Sequence, residues 1–408
     1  MTKNITGKKQ QDILKRGVVK LIKEDEIEKN ILSGRPLRIK HGIDPTGNQL
    51  HLGYAVIYRK LKALQDLGHT IVFLVGDFTA RFGDPTGRME SRGMRNAAEV
   101  RKLADSYVEQ ISRILDPEKL EVHFNSEWYD TMKLEELFSI LANFTTAQIL
   151  ERDMFQERIK KGKEVALHEL LYPILQGYDS VMLKSDLTVI GSDQIFNELA
   201  GRHLQKIYNQ EPQGIIALEV LPGTDGKKKM SQSLGNTIGL SEAAQEQFGK
   251  IMSIPDDVIS TYFTLLTDRP QEEIDGASAA MKTKKINPRD EKELLAHTIV
   301  EWIWGQEEAE KSKDEFIRVN KEKKIPTRTP EKIGPEDQGK TFDLPHFLSV
   351  SGATATTSAA RRLISQRAVY IDGELATDNP YPQVDITKEH IVKYGKKAYK
   401  IKPRSSQK

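Results

Sequence analysis

The chain of 408 residues contains no cysteine. This absence excludes a disulfide framework, a thiolate zinc site and a cysteine nucleophile. The longest apolar runs, such as TIVFLVG at residues 70–76, are far too short to cross a bilayer. The N-terminal segment MTKNITGKKQQDILKRG lacks the apolar centre of a signal peptide. From these absences we expect a soluble protein of the cytoplasm.

An excess of charge of either sign is also absent. Lysine and arginine total 61, aspartate and glutamate total 59, and the formal net charge is +2. This balance argues against a protein that coats polyanions with its whole surface, although a local basic face remains possible. The length suits two or three domains with a sizeable core.

Changes of pattern along the chain predict its domain organisation. Residues 1–32 are predicted to be a polar helical segment, and residues 33–240 an α/β domain with a helical insertion. Residues 241–320 predict an all-α domain. The lysine-, proline- and glycine-rich residues 321–341 are typical of a linker, and residues 342–408 predict a small α+β unit.

Hydrophobic patterning predicts a strand–helix–strand unit early in the α/β domain. A short strand is expected at Leu37–Gly42, a helix at His51–Leu67, and a buried strand at Ile71–Val75. Such a unit begins a doubly wound parallel sheet. Residues 97–208 predict mostly helix, with one strand at Leu187–Ile190. A further strand is expected directly after them, over residues 214–219.

The first predicted strand is followed by a glycine-rich loop, GIDPTGNQLHLGY at residues 42–54. It leads into a helix whose N-terminal N–H groups suit phosphates. His51 could donate a hydrogen bond to a phosphate, and Gly53 would let a nucleotide lie close to the backbone. A turn and a helix cap with a structural histidine explain the same residues equally well.

The next strand leads into a second loop, VGDFTARFGDPTGRMESR at residues 75–92, which carries several aspartates and arginines. In doubly wound sheets, ligands bind at such carboxyl ends of strands. A carboxylate there suits an ammonium group, and mobile arginines suit phosphates. An ordinary surface position explains any single arginine, but the cluster favours a ligand.

Polar side chains also stand out in LYPILQGYDSVML, where Tyr172, Gln176 and Asp179 are spaced to share one helix face. In apolar surroundings these groups require partners, which a small polar ligand or a buried structural network would supply. In the later segment GSDQ, Asp193 can hold a ribose diol and Gln194 a small polar substrate.

The stretch KKKMSQSLGN at residues 227–236 places three lysines beside small residues. By itself this pattern predicts either a solvated basic turn or a mobile cationic lid over a polyphosphate. Lysine runs in general favour the turn, so the choice depends on the other motifs.

In this order the motifs resemble those of class I aminoacyl-tRNA synthetases. HLGY is similar to the HIGH signature of that class, and KMSQS at Lys229–Ser233 to its KMSKS signature. Within the class, GIDPT, GDPTGR, YPILQGYD, GSDQ and KMSQSLGN resemble the bacterial tyrosyl-tRNA synthetases. The segment at residues 357–374 is similar to their terminal RNA-binding domain. The resemblance implies a Rossmann-type catalytic domain, an all-α domain and a C-terminal α+β RNA-binding domain.

The same resemblance implies a two-step reaction. ATP, accompanied by Mg²⁺, activates tyrosine to tyrosyl-adenylate, and the tyrosyl group then passes to tRNA(Tyr). This chemistry requires positioning and charge stabilisation rather than a protein nucleophile or a protein-bound metal. The family pattern assigns catalysis at the phosphates to Thr46, His51, Arg88, Arg92, Lys229 and Gln232.

Binding residues are implied in the same way. Asp84, Tyr172 and Gln176 would hold the ammonium end of tyrosine, and Asp179 would accept a hydrogen bond from its phenol. Rejection of phenylalanine by a group that needs the phenol is a known property of this family. The implied substrate-binding residues are Lys40, Asp84, Tyr172, Gln176, Asp179 and Gln194. The implied ATP-binding residues are Gly42, Asp44, His51, Gly53, Tyr54, Gly191, Asp193, Lys229, Met230, Ser231 and Ser233.

Three positions depart from the family pattern. Tyr54 replaces the second histidine of HIGH and cannot become cationic near neutral pH. Gln232 replaces the second lysine of KMSKS, a loss of about 3 kcal/mol in transition-state stabilisation that Lys227 or Lys228 would partly offset. Lys40 stands where some tyrosyl enzymes have a tyrosine, as it does in another branch of the family.

Further partners follow from the resemblance. Arg361, Arg362 and Arg367 in the terminal unit suit RNA phosphates. The family implies a homodimer that forms through the helical region near residues 130–170.

Two alternatives stay open from the sequence: a related adenylate-forming enzyme that uses tryptophan or a non-tRNA acceptor, and a catalytically weakened RNA-binding protein derived from a synthetase. YPILQGYD and the terminal unit argue against the first alternative. The complete set of amino-acid pocket residues argues against the second.

Overall fold

A six-stranded sheet lies in the first of the two units into which the chain divides, Met1–Glu310 and Lys311–Lys408. The computed structural model describes residues 13–32, 34–45, 47, 49–81, 96–320, 331–333, 341–378, 380–385, 387–394 and 397–402. The strands of this sheet are β1 (Val18–Ile22), β2 (Arg38–Ile43), β3 (Thr70–Val75), β4 (Leu120–Phe124), β5 (Leu187–Gly191) and β6 (Gly214–Leu218).

The spatial order of these strands is β1-β6-β5-β2-β3-β4. All neighbouring pairs are parallel except β1 and β6, which are antiparallel. The chain proceeds from β2 outward through β3 to β4, and then returns to the other side of β2 for β5 and β6. The predicted doubly wound sheet is therefore confirmed, and its topological switch point lies between the carboxyl ends of β2 and β5.

The sheet forms where apolar residues run without interruption. Every residue of β6 is buried, as is every residue of β3 after Thr70. Such continuous burial is typical of parallel strands covered on both faces. The covering helices are α1 (Glu24–Leu32), α2 (Leu52–Asp66), α3 (Ala97–Ile111), α4 (Ser126–Tyr129), α5 (Leu134–Leu141), α6 (Thr146–Leu150), α7 (Asp153–Lys160), α8 (Leu167–Leu183) and α9 (Ile195–Ile207).

The remainder of the first unit is helical, as the sequence predicts for residues 241–320. Its helices are α10 (Ala244–Met252), α11 (Ile259–Leu266), α12 (Gln271–Lys282), α13 (Pro288–Trp304) and α14 (Gln306–Asn320), the last of which continues beyond Glu310. The indole of Trp304 donates to the Gln247 amide oxygen at 3.0 Å and so joins α13 to α10. Among the residues that the structure describes, no helix is long and apolar enough to span a membrane.

The second unit is small and of α+β type, as predicted. Its elements are β7 (Glu331–Ile333), β8 (Thr341–Asp343), α15 (Leu344–Val350), α16 (Thr357–Ser365), β9 (Val369–Ile371), β10 (Glu374–Leu375), β11 (Gln383–Asp385), β12 (His390–Tyr394) and β13 (Lys397–Lys402). Five strands form a sheet in the order β10-β9-β12-β13-β7, and β11 pairs with β8.

Three local predictions are corrected by the structure. The helix predicted for residues 1–32 is wrong at β1, since Gly17 and Lys23 adopt positive φ values of 66° and 65° on either side of a strand that pairs with β6. β4 was not predicted, because it lies half-buried at the sheet edge and has no apolar run. The predicted linker, residues 321–341, contributes β7, which pairs in parallel with β13.

Helices α8 and α9 approach each other closely through two glycines. A Cβ atom at Gly177 would lie 2.8 Å from the backbone nitrogen of Gly201, and one at Gly201 would lie 2.9 Å from the Ser180 hydroxyl. A side chain at either position would overlap its neighbour, so the glycines set the separation of the helices. Both helices carry residues of the site described below.

We predict that Gly177→Ala destabilises the protein by about 1–3 kcal/mol, because the added methyl group meets backbone that cannot move aside cheaply. Chemical denaturation monitored by circular dichroism measures this change. Gly249→Ala is the matched control: Gly249 lies within α10 with nothing within 4 Å of its would-be Cβ, so it should be neutral or slightly stabilising. Equal stability of the two variants would contradict the proposed close contact.

Candidate functional site

Asp44 directly follows β2 and connects three elements at the carboxyl edge of the sheet. Its Oδ2 accepts a hydrogen bond from the Tyr172 hydroxyl at 2.7 Å, and its Oδ1 accepts one from the Thr79 hydroxyl at 2.9 Å. Tyr172 lies on α8, and Thr79 lies in the loop after β3. The structure thus brings together the first glycine-rich loop and the predicted polar face of α8.

His51 is the N-cap of α2, which begins where the sequence predicts it. Its Nδ1 accepts from the backbone N–H of Gly53 at 3.2 Å, so the neutral ring carries its proton on Nε2 and can donate there. Burial and then the positive charge of Lys229 lower the pKa of His51 to about 4. His51 is therefore a neutral hydrogen-bond donor at physiological pH. The ring of Tyr54 lies 4.5 Å from it, centre to centre.

The KMSQS loop lies against the loop that contains HLGY. The backbone N–H of Leu52 donates to the carbonyl of Ile238 at 2.9 Å, and that of Leu240 donates to the carbonyl of Leu50 at 2.7 Å. The Gln232 amide donates to the Gln49 carbonyl. These contacts join the two signature segments, which are far apart in the sequence.

A second set of contacts holds the lysine-rich loop in shape. The Asn236 side chain is buried and donates to the Lys229 carbonyl at 3.1 Å, while its oxygen accepts from the Ser231 N–H at 2.9 Å. The Asp225 carboxylate accepts the backbone N–H groups of Lys227 and Lys228 at 3.0 and 3.1 Å. These hydrogen bonds lower the pKa of Asp225. The lysine side chains are left at the surface.

Lys229 of the KMSQS loop forms an ion pair with Asp193, which the sequence predicts to bind the nucleotide. Lys229 Nζ lies 3.2 Å from Asp193 Oδ2, and both side chains are partly exposed. A partly exposed pair of this kind contributes little to stability. It can therefore be exchanged for contacts to a ligand at low cost.

Asp179 is buried in the C-terminal half of α8. The indole Nε1 of Trp128 donates to its Oδ1 at 3.1 Å. Burial raises the pKa of Asp179 to about 7, although the positive charge of Lys40 opposes this shift. A buried carboxylate with that pKa is poised to change its charge when a polar ligand binds beside it.

A network of buried polar side chains lies between α8 and α9. Glu198 accepts from Gln176 Nε2 at 2.9 Å and from Lys40 Nζ, which is 2.9 Å from its nearer oxygen. Asn197 Nδ2 donates to the side-chain oxygens of Gln176, at 2.7 Å, and of Gln194, at 3.0 Å. Lys40, predicted to bind substrate, is 1% exposed and also donates to Ser180 Oγ at 2.6 Å, so its ammonium group is held by protein groups.

Several other predicted residues lie beside this site. Gly42 and Gly191 lie at the carboxyl ends of β2 and β5, on the two sides of the switch point. Met230 is buried, and its Cβ lies 3.5 Å from where a Cβ of Gly53 would be. The hydroxyls of Ser231 and Ser233 are 3.0 Å apart.

Four predicted residues, namely Thr46, Asp84, Arg88 and Arg92, lie outside the described residues. In the second unit, Arg361 and Arg362 are exposed on α16, and Arg367 follows that helix with a φ of 53°. These three guanidinium groups are available to solvent on one small unit.

Trp128, Glu198 and Asn236 belong to the site but lie outside the residues that the sequence motifs predict for it. A glutamate in the largely apolar segment IFNELAG was a usable signal, because an interior carboxylate needs a partner. The contacts of Trp128 and Asn236 are formed by tertiary folding and have no local pattern. In the described part of the chain, no group of three or more His, Asp or Glu side chains could hold a metal ion.

Comparison with known proteins agrees with this geometry. Residues 32–320 match the family model described as "tRNA synthetases class I (W and Y)". The tyrosine–tRNA ligase of Thermotoga maritima is 44% identical over 97% of each chain, and that of Aquifex aeolicus is 41% identical over 97% of this chain and 98% of its own.

Solved structures share the fold. A tyrosyl-tRNA synthetase from Archaeoglobus fulgidus, complexed with L-tyrosine, has a TM-score of 0.60 at 21% identity and covers 75% of this chain and 99% of its own. A mitochondrial tyrosyl-tRNA synthetase from Coccidioides posadasii has a TM-score of 0.59 at 22% identity, over 75% and 90% of the two chains. With the fold, the two docked signature segments and the relatives in agreement, the chain belongs to the tyrosine–tRNA ligase family of class I tRNA synthetases.

Proposed function

We propose that this chain is a tyrosine–tRNA ligase that activates tyrosine with ATP and transfers the tyrosyl group to tRNA(Tyr). The observation that carries the proposal is the helix α8, which presents Tyr172, Gln176 and the buried Asp179 beside the switch point. Tyr172 is also hydrogen-bonded to Asp44 in the nucleotide loop. An amino-acid pocket thus adjoins a phosphate-binding loop, as adenylate formation requires.

In the proposed first step, the carboxylate of tyrosine attacks the α-phosphate of ATP, and pyrophosphate leaves. Neutral His51 donates from Nε2 to the phosphate oxygens as charge grows on them. Lys229 exchanges its partner Asp193 for the leaving pyrophosphate, and Asp193 becomes free to accept from the ribose hydroxyls. Thr46, Arg88 and Arg92 act on the same phosphates by family resemblance.

The tyrosine side chain is proposed to bind with its phenol beside Asp179. Its phenol donates to the Asp179 carboxylate, whose Oδ1 already accepts a hydrogen bond from the Trp128 indole. Its ammonium group is bound near Tyr172 and Gln176, together with Asp84. In the second step, the terminal ribose hydroxyl of tRNA attacks the carbonyl of the adenylate and releases AMP.

Further aspects of the proposal rest on the relatives. Mg²⁺ would accompany ATP and be bound chiefly by its phosphates and water, as is usual for Mg²⁺ with nucleotides. Arg361, Arg362 and Arg367 of the terminal unit 342–408 would contact tRNA phosphates. We further propose that the protein acts in the cytoplasm as a homodimer. A catalytically weakened RNA-binding protein is disfavoured, since relatives named tyrosine–tRNA ligase match nearly the whole chain.

The direct test is tyrosine-dependent exchange of labelled pyrophosphate into ATP, followed by charging of tRNA(Tyr). We expect exchange with tyrosine and much less with phenylalanine, because phenylalanine has no hydroxyl that can donate to the buried Asp179. Replacing Arg361, Arg362 and Arg367 together by alanine should lower charging and leave exchange intact. Absence of exchange with tyrosine would refute the proposed function.

A second prediction concerns the missing lysine of the lid. Gln232→Lys should raise the rate of pyrophosphate exchange about tenfold or more, because it adds one cation at the leaving group. Lys227→Ala or Lys228→Ala should lower the rate if a neighbouring lysine supplies part of that charge. Gln306→Lys adds the same charge at the exposed start of α14 and should change nothing. If none of the lid variants alters exchange, the lid has no cationic role.

A third prediction uses the pKa of Asp179, which burial raises to about 7. The carboxylate loses its charge as the pH falls through this value, so tyrosine should bind about tenfold more weakly at pH 6 than at pH 8. Calorimetry at several pH values measures the affinity. Asp179→Asn should bind tyrosine weakly with no such pH dependence. His51, with a pKa of about 4, remains neutral over this range. A flat profile for the unmodified protein would contradict this prediction.

A further inference from the structure

Glu198 is a buried carboxylate that the proposed mechanism does not use. It lies near the start of α9 and is 1% exposed. Three side chains donate to it: Lys40 at 2.9 Å, Gln176 at 2.9 Å and Gln213 at 2.7 Å. A carboxylate removed from water is tolerated only with such partners. Glu198 therefore forces three neighbouring groups to present their N–H bonds towards it.

This requirement decides which way the amide of Gln176 faces. An ionised carboxylate can only accept hydrogen bonds, so Gln176 must turn its NH₂ group towards Glu198. Its oxygen then faces Asn197, whose Nδ2 donates to it at 2.7 Å. An amide oxygen has two lone pairs, so it can accept from Asn197 and from one further donor.

Gln176 lies one helical turn from Tyr172, at the end of the pocket that is proposed to hold the substrate ammonium group. With its oxygen as the available group, Gln176 can accept a hydrogen bond from an ammonium. In the opposite orientation, the NH₂ group would meet the ammonium donor to donor and repel it. The amide orientation thus affects recognition of the ammonium group directly.

Lys40 supplies the charge that balances Glu198. Its ammonium is 1% exposed and is held by Glu198 and by Ser180 Oγ, at 2.6 Å. Gln213 completes the arrangement, because its Nε2 donates both to Glu198 and to Ser180 Oγ, the latter at 3.2 Å. Lys40, Gln176 and Gln213 all donate to the Glu198 carboxylate, so the carboxylate is held in one position.

We propose that Glu198, with Lys40 as its counter-ion, is a positioning residue that fixes the amide of Gln176 as an acceptor for the α-ammonium group of the amino-acid substrate. The proposal rests on the proposed function for the identity of that substrate. Lys40 then acts on the substrate through Glu198 and Gln176 and makes no contact with it.

The test compares L-tyrosine with 3-(4-hydroxyphenyl)propionate, which lacks only the ammonium group. Glu198→Gln has the same shape but can donate as well as accept, so Gln176 is no longer held in one orientation. We expect the affinity for tyrosine to fall about tenfold or more, as for loss of a hydrogen bond to a charged group. Affinity for the analogue and the KM for ATP in pyrophosphate exchange should be unchanged. The preference for tyrosine over the analogue therefore shrinks.

A double variant and a control variant distinguish a loss of substrate recognition from a loss of stability. Lys40→Met combined with Glu198→Leu removes both charges together, which buried pairs often tolerate without loss of stability. This double variant should lose the same preference. Glu291→Gln is the matched control, since Glu291 is a buried carboxylate paired with Arg269 among the helices of residues 241–320. It should retain the preference even if its stability falls.

The outcomes separate this inference from the proposed function. If the unmodified protein neither binds tyrosine nor exchanges pyrophosphate with it, the proposed function fails. If it does both, but the Glu198 variants weaken tyrosine and the analogue equally, Glu198 has only a structural role and the inference is wrong. Unchanged affinity for both ligands in these variants overturns the inference as well.

Discussion

The backbone contact between α8 and α9 at Gly177 and Gly201 is the constraint on which the pocket depends. Because no side chain separates the helices there, the residues flanking the glycines come within hydrogen-bonding distance. Gln176 of one helix meets Asn197 and Glu198 of the other. A wider separation would leave these buried polar groups without partners, which is costly in a low-dielectric interior. Packing and polar pairing therefore support each other at this point.

Two buried carboxylates of the pocket have different environments. Glu198 has a lysine and two amides as partners, whereas Asp179 has the Trp128 indole and Tyr129 beside it and, among the described residues, no cation in direct contact, and burial raises the pKa of Asp179 to about 7. A fully paired carboxylate is suited to a fixed structural task. A carboxylate whose pKa is raised by burial is suited to bind a substrate hydroxyl, because the substrate supplies a further donor to it.

The nucleotide side of the site is assembled by long-range backbone contacts. The backbone at Leu50 and Leu52 pairs with Leu240 and Ile238, which follow the KMSQS loop, and His51 caps α2 between them. Burial keeps the His51 ring neutral, so it can donate without carrying charge. Lys229 of the KMSQS loop contributes positive charge at this edge. Gln232 in turn uses its amide to hold that loop against the Gln49 carbonyl.

Local patterns in the sequence were sufficient to predict β2, α2 and β3, and with them the doubly wound sheet. The order of the motifs was sufficient to predict the family. Apolar runs and helix caps act over a few residues, so they can be recognised without the fold. Other features were decided only by tertiary structure. β1 becomes a strand through pairing with β6, and Lys40 becomes the counter-ion of Glu198, a residue far along the chain. The partner of a buried charge is the group that folding places next to it, and this group can lie anywhere in the sequence. Sequence spacing therefore does not predict such pairs.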